Sequence, residues 1–446
     1  MERREPRPPT NEAPLRLGPM AYGGETVARM PSGQVVFVSG GLPDEEVVVR
    51  MQSQQRGVMR GVVQTLQTAS PDRVVPRCPY FGPCGGCQWQ HASYEAQLDY
   101  KQTLLRDALE HQTKLDVLPL RAPVPAPDPW YYRYTAQFHI TPEGQLGFVR
   151  ARSRNILPVA HCYVVHPAID EALTSLQEFV PAALADDPAG RQLREIALRV
   201  ATDGDTTELL LVCYGGEAAR PVAEQVALRF ASRHENVRGG WFVTMGDTRS
   251  HSQARDLIVG RATLRQRINT MVFRIGPTVF FQVNPDHALS LIQVVREHVH
   301  DTRPTKLLDL FCGVGLFTLS VADLVENVGG ADNNEAAIDL AHESAMESGI
   351  ENARFLAASA EEALSLHSGP DAVILDPPRT GLSRLLMAEL VNRKPRALIY
   401  VSCDPTTLAR DVAELLKAGY RLDSVQMVDL FPQTYHIEAV ALLTLR

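Results

Sequence analysis

Four of the seven cysteines in this 446-residue chain are spaced so that they could gather a metal. Cys78, Cys84 and Cys87 form C-x5-C-G-G-C, and Cys162 follows later in His161-Cys162-Tyr163. Gly85-Gly86 between two thiols, with Pro79 and Pro83 nearby, makes a tight loop that can turn several sulfurs to one point, as a tetrahedral zinc or an iron-sulfur cluster requires. Cys403, in Tyr400-Val401-Ser402-Cys403-Asp404-Pro405, is either core filler or a nucleophile. Upstream, Asp376-Pro377-Pro378-Arg379 presents a carboxylate on a turn that two prolines hold rigid. A third group begins at Asp309-Leu310-Phe311-Cys312-Gly313-Val314-Gly315, where glycines let the backbone approach a ligand; Asp332, 17 residues beyond Gly315, can accept hydrogen bonds from a ribose diol. That pair fits an adenosine-containing cofactor. A dinucleotide is the runner-up, but Leu316-Phe317-Thr318 stands where the third glycine of its fingerprint belongs.

Such groups must be brought to one edge. Apolar runs at 307–311, 328–331, 355–358, 372–375 and 398–401 alternate with helical stretches at 316–324, 336–348, 382–391 and 408–418, which predicts a doubly wound, Rossmann-like parallel sheet. Asp332, Asp376 and Cys403 then all fall at strand ends. Two final strands, 422–429 and 439–445, have no helix between them and should be antiparallel. Upstream, short β-branched strands with glycine turns over 12–68 predict a small β-barrel, and Ser93 opens a helix over 93–118 with Leu98, Leu104, Leu105 and Leu109 on one side. A proline-rich connector at 121–129 precedes a strand-rich stretch to about 264. The expected organisation of this multidomain α/β chain is a disordered tail at 1–10, an OB-like barrel at 11–70, a β-rich central domain with the cysteine loop at 71–265, and the doubly wound sheet at 266–446.

Two resemblances add to this reading. YGGETVAR, VVFVSGGLPDEEVVVR and RGVV resemble the TRAM domain, which implies an RNA-carrying barrel with Arg29, Arg50, Arg56 and Arg60 as candidate phosphate contacts. RCPYFGPCGGCQWQH, HCYVVHP, DLFCGVGLFTL, ILDPPRTGL, YVSCDP and FPQTYHIEAV together resemble the RNA uridine C5-methyltransferase family across nearly the whole chain. The resemblance implies S-adenosylmethionine as methyl donor, contacted by Gln282, Phe311, Gly313, Gly315, Asp332 and Asp376. It implies Cys403 as nucleophile, Glu438 as general base, and a [4Fe-4S] cluster on Cys78, Cys84, Cys87 and Cys162. His436, two residues from Glu438 and expected on the same strand face, is a rival base. The barrel-plus-cysteine layout looks most like members that act on 23S ribosomal RNA. A transfer-RNA T-loop uridine is the alternative, and an RNA-binding or RNA-folding protein with incidental methylation is a second class.

Composition narrows the classes. Apolar residues are 45% and charged residues 22%, no apolar run approaches a membrane span, and no secretory h-region stands at the N-terminus, so a cytoplasmic, monomeric enzyme without membrane contact is expected. Net charge is −8 overall, divided as +3 over residues 1–160 and −11 over the rest. The basic excess lies where an RNA-facing front end is expected.

Overall fold

A computed structural model describes residues 12–55, 58–186, 188–245, 252–367 and 369–445; the tail expected at 1–10, and Arg56, lie outside them. Strands β1 (Glu12–Met20), β2 (Thr26–Arg29), β3 (Val35–Ser39), β4 (Glu46–Gln55) and β5 (Val58–Thr68) close into a barrel in the order β1-β2-β3-β5-β4. Period-two alternation fills it. Leu15 and Leu17, Val36 and Val38, and Val47 and Val49 are all buried in one cluster.

Helix α1 (Tyr94–Thr113) comes next in the chain. Strands β6 (Thr135–Ile140), β7 (Leu146–Val149), β8 (Ile156–Pro158), β9 (Leu193–Asp203), β10 (Thr206–Gly215), β11 (Val237–Met245) and β12 (Ser252–Gly260) form a central sheet in the order β12-β11-β10-β9-β6-β7-β8. Helices α2 (Pro167–Asp186) and α3 (Arg220–Arg233) cover one face, so Leu209 and Leu211 of β10 pack with Phe179 and Phe230. Leu210 and Val212 point the other way, into a core shared with Leu307, Ile374 and Val440. That core runs straight through the boundary drawn at 265.

A hairpin of β13 (Leu264–Ile268) and β14 (Met271–Ile275) and helix α4 (Pro285–Thr302) lead into the last sheet. It is built from β15 (Lys306–Leu310), α5 (Leu316–Ser320), β16 (Asn327–Asp332), α6 (Glu335–Glu347), β17 (Ala353–Ala357), α7 (Ala360–Leu366), β18 (Ala372–Leu375), α8 (Arg384–Arg393), β19 (Ala397–Ser402), α9 (Pro405–Lys417), β20 (Tyr420–Val428) and β21 (Glu438–Leu445). Strand order is β17-β16-β15-β18-β19-β21-β20, parallel throughout except for β21, which is antiparallel to both neighbours. The order reverses between β15 and β18, the point of a doubly wound sheet whose carboxyl ends form a ligand crevice.

Helix α1, expected with the central domain, instead packs on α9: its Leu105 and Leu109 join the cluster of Leu408, Val412 and Tyr420. Lys101 of α1 is fully buried against Asp429, Nζ to Oδ1 2.6 Å. Breaking such a buried pair by removing one partner costs roughly 3–5 kcal/mol, so α1 is structurally part of the last layer. Among the described residues no helix is long and apolar enough to cross a membrane.

Candidate active site

The crevice between β15 and β18 is lined by backbone made to approach a ligand. Phe311, Gly313 and Gly315 all have positive φ (68°, 54° and 86°). A Cβ on Gly315 would sit 3.0 Å from the Phe355 ring, whereas the Cβ direction at Gly313 is open. Asp332 ends β16; its Oδ2 accepts from Gly313 N at 3.0 Å and its Oδ1 from Asn334 N at 2.9 Å. A carboxylate has about four lone-pair directions, so two remain for a diol. Phe311 rests on the cluster of Leu310 and Leu375. Gln282 is buried in the loop before α4, two residues ahead of Asn284, whose amide donates to Leu430 O at 3.3 Å.

Asp309, in β15, has no role that the sequence motif itself reveals. Its Oδ2 accepts from Thr318 N at 2.9 Å and Thr318 Oγ1 at 2.6 Å, while Oδ1, also buried, has no partner among the described residues. Burial pushes its carboxyl up to about 7, against the pull of the Thr318 hydrogen bonds. Asp376, half-buried just past β18 at the same edge, is pushed up to about 8 by burial and then by Asp309 and Asp332. Three carboxylates thus crowd one crevice, an arrangement that favours a cation.

Cys403 is half-buried one residue past β19. The β19–β21 ladder pairs Ser402 with Ala439, so one further step brings Cys403 opposite Glu438, the buried first residue of β21. Burial, then Glu438 and Asp376, push the Cys403 thiol up to about 11, while Arg379 pulls it down. Glu438 is held well above the usual carboxylate range by burial and Asp376, again opposed by Arg379. Arg379 is therefore a cation that acts on both groups. The Asp-Pro-Pro-Arg motif by itself gives Arg379 no role, because its nearness to Cys403 depends on the fold.

His436 is not on the strand face of Glu438. It precedes β21 in a loop, with Nδ1 3.2 Å from Arg379 Nη2 and its ring against Tyr435 at 4.4 Å. Burial and Arg379 drive its pKa down to about 4, so at neutral pH it is uncharged. The barrel also reaches this corner: Tyr22 OH donates to Asp404 Oδ2 at 3.2 Å, beside the Cys403 thiol.

Cys78, Cys84, Cys87 and Cys162 all line one cavity of about 1060 Å³ between the barrel and the central sheet, together with Arg133, Arg150 and Tyr435. Cys87 is pushed up to about 12 and Cys162 to about 11 by burial and by the other thiols. Among the described residues no three metal-ligating side chains close on a single ion. Of the barrel arginines, Arg29 and Arg50 are exposed, but Arg60 is committed to an ion pair with Glu25, which also binds Arg152.

Comparison with known proteins places these features in context. Residues 249–446 match the model of the tRNA (Uracil-5-)-methyltransferase family. An uncharacterized RNA methyltransferase of Enterococcus faecalis is 33% identical, with 92% of each chain covered. One of Aquifex aeolicus is 32% identical, covering 98% of this chain and 99% of its own. Among solved structures, a Pyrococcus abyssi tRNA (uracil-54, C5)-methyltransferase in complex with S-adenosyl-L-homocysteine superposes with a TM-score of 0.75 at 28% identity, covering 97% of this chain and all of its own.

Proposed function

Because the chain belongs to the tRNA (uracil-5-)-methyltransferase family, an enzyme family that uses S-adenosylmethionine to methylate carbon 5 of uracil in RNA, we propose that it makes 5-methyluridine at a specific position of 23S ribosomal RNA through a covalent Cys403 adduct. The observation that carries the mechanism is the placement of Cys403 opposite Glu438, with Arg379 acting on both.

Carbon 5 of uracil is too poor a nucleophile to take a methyl group unaided. The Cys403 thiolate adds to carbon 6, and the electron pair of the 5,6 double bond moves onto carbon 5 and the neighbouring carbonyl oxygen as an enolate. S-adenosylmethionine, when bound, would supply its sulfonium methyl to carbon 5, the sulfur–methyl bond breaking to leave S-adenosylhomocysteine. Gln282, Phe311, Gly313, Gly315, Asp332 and Asp376 hold it, and the crevice carboxylates favour its positive sulfonium over a neutral thioether. Glu438, as carboxylate, then takes the carbon 5 proton, the double bond re-forms, and the Cys403–carbon 6 bond breaks to release the thiolate. Arg379 favours the ionised form of both groups, which burial otherwise opposes.

Cys78, Cys84, Cys87 and Cys162 would hold a [4Fe-4S] cluster. Four soft sulfur donors lining one cavity suit such a cluster. The barrel grips RNA as a TRAM-like module, with Arg29 and Arg50 toward phosphate. A tRNA T-loop uridine is the second reading, favoured by the end-to-end likeness to the Pyrococcus abyssi tRNA enzyme. Mapping 5-methyluridine in ribosomal and transfer RNA of a deletion strain decides between them: loss of one 23S position supports the first reading, loss confined to tRNA the second, and no loss overturns both.

A further inference from the structure

One face of α1 clasps the loop that carries His436 and leads into β21 at Glu438. Tyr94, Gln97 and Lys101 sit three and four residues apart, the spacing that stacks side chains on one side of a helix. Tyr94 OH donates to Asp429 Oδ2 at 2.9 Å, and Lys101 Nζ donates to Asp429 Oδ1 at 2.6 Å and to Phe431 O at 2.9 Å. Gln97 and Gln433 bond reciprocally: Gln433 N donates to Gln97 Oε1 at 2.8 Å, and Gln97 Nε2 donates to Gln433 Oε1 at 3.1 Å. The carbonyl of Gln433 accepts from Gln88 N and Trp89 N, both at 3.0 Å, directly after Cys87. Every polar group of Gln433 named here is thus held by residues 88–97.

Gln433 itself has φ 67°, a left-handed conformation that a residue with a side chain rarely adopts unless its surroundings impose it. Five residues later the chain enters β21 at Glu438. A buried helix face, fully hydrogen-bonded to a strained loop that ends at the proposed base, is more than a docking contact requires.

We propose that Gln97, acting through Gln433, is a positioning residue that sets where Glu438 meets the carbon 5 proton. This rests on the assignment of Glu438 as the base. Tyr94 and Lys101 anchor the loop's start at Asp429, and Gln97 fixes its middle. The α1 residues of this network lie outside the 249–446 segment matched by the family model, and Gln97 reaches Gln433 across 336 residues of sequence.

Lys101 variants would leave Asp429 buried and unpaired and could fail to fold, so the test uses Gln97→Leu and Gln433→Gly, the latter keeping the left-handed backbone accessible. Each full-length variant is mixed with substrate RNA and S-adenosylmethionine and followed on denaturing gels, with Glu438→Gln alongside. Misplacing a reacting group by about 1 Å costs on the order of a hundredfold. Both variants should therefore form the covalent RNA complex at near the wild-type rate yet resolve it about a hundredfold more slowly, so that methylated adduct accumulates while affinity for S-adenosylmethionine and metal content stay unchanged. Equal slowing of adduct formation and resolution, or wild-type resolution, overturns the positioning role. If Glu438→Gln itself accumulates no adduct, the base assignment fails first and the two failures are told apart.

Discussion

Cys403 and Glu438 occupy opposed positions one step beyond the last pair of the β19–β21 ladder, Ser402 and Ala439. A thiol and a carboxyl more than thirty residues apart in sequence thereby act on one another through space, Glu438 raising the Cys403 thiol. The antiparallel insertion of β21 between β19 and β20 creates that relationship; a seventh parallel strand would have put the start of β21 at the far edge of the sheet.

The two groups should stall the reaction at different steps. Cys403→Ala should bind RNA and S-adenosylmethionine and form no covalent complex. Glu438→Gln should add and methylate, then accumulate a methylated covalent RNA as a shifted band on a denaturing gel. Wild-type protein with 5-fluorouridine RNA should give the same band, since fluorine cannot leave as a proton. A Glu438→Gln enzyme that turns over normally while His436→Ala traps the adduct would move the base to His436.

Arg379 should act on the first step. It lowers the Cys403 thiol from a value otherwise set by burial, Glu438 and Asp376. Adduct formation needs the thiolate, so below the thiol's pKa of about 11 its rate should climb about tenfold per pH unit. Arg379→Met should slow it on the order of tenfold at neutral pH, one pKa unit of lost stabilisation. Stopped-flow or quench measurement with 5-fluorouridine RNA reads this directly, and an unchanged rate would remove Arg379 from the mechanism.

Cofactor affinity should depend on pH. Asp309 and Asp376, raised to about 7 and about 8, carry protons in the folded protein at a pH where the unfolded chain has lost them. Their contribution to stability therefore falls as pH rises from about 4 through these values. A bound sulfonium favours the ionised forms, so S-adenosylmethionine should bind more tightly from about pH 6 to about pH 8 and release protons less as the pH climbs. Asp309→Asn should flatten that dependence. Calorimetry in buffers of different ionisation heat checks both the affinity and the proton count; a pH-independent affinity in wild type would sink the prediction.

The cysteine site should show its metal on isolation. Anaerobically purified protein should be brown and carry about four irons per chain, and Cys87→Ser should lose them. Because a metal held only by the folded state adds folding energy, that variant should also melt at a lower temperature. Stoichiometric zinc without iron would overturn the cluster.

Sequence alone determined the parts whose signal is local. Strands β15, β18 and β19 were legible because strands buried on both faces read as unbroken apolar runs, and the barrel because its alternation is short-range. Ser93 as a cap and the antiparallel final pair were legible for the same reason. So were the residue types at strand ends, since glycine turns, Asp332, Asp376 and Cys403 follow directly from where the runs stop. Tertiary structure decided the rest. Helix α1 joined the last sheet because its Leu105 and Leu109 face α9, and nothing in its own periodicity names that partner. His436 fell in a loop because β21 begins only at Glu438. The raised carboxyls of Asp309 and Asp376, the charge of Arg379 beside Cys403, and the clasp of Gln97 on Gln433 all depend on through-space distances between segments far apart in the chain. A linear sequence records which groups are present and where local elements end; which charges share a low-dielectric space is fixed only when the chain has folded.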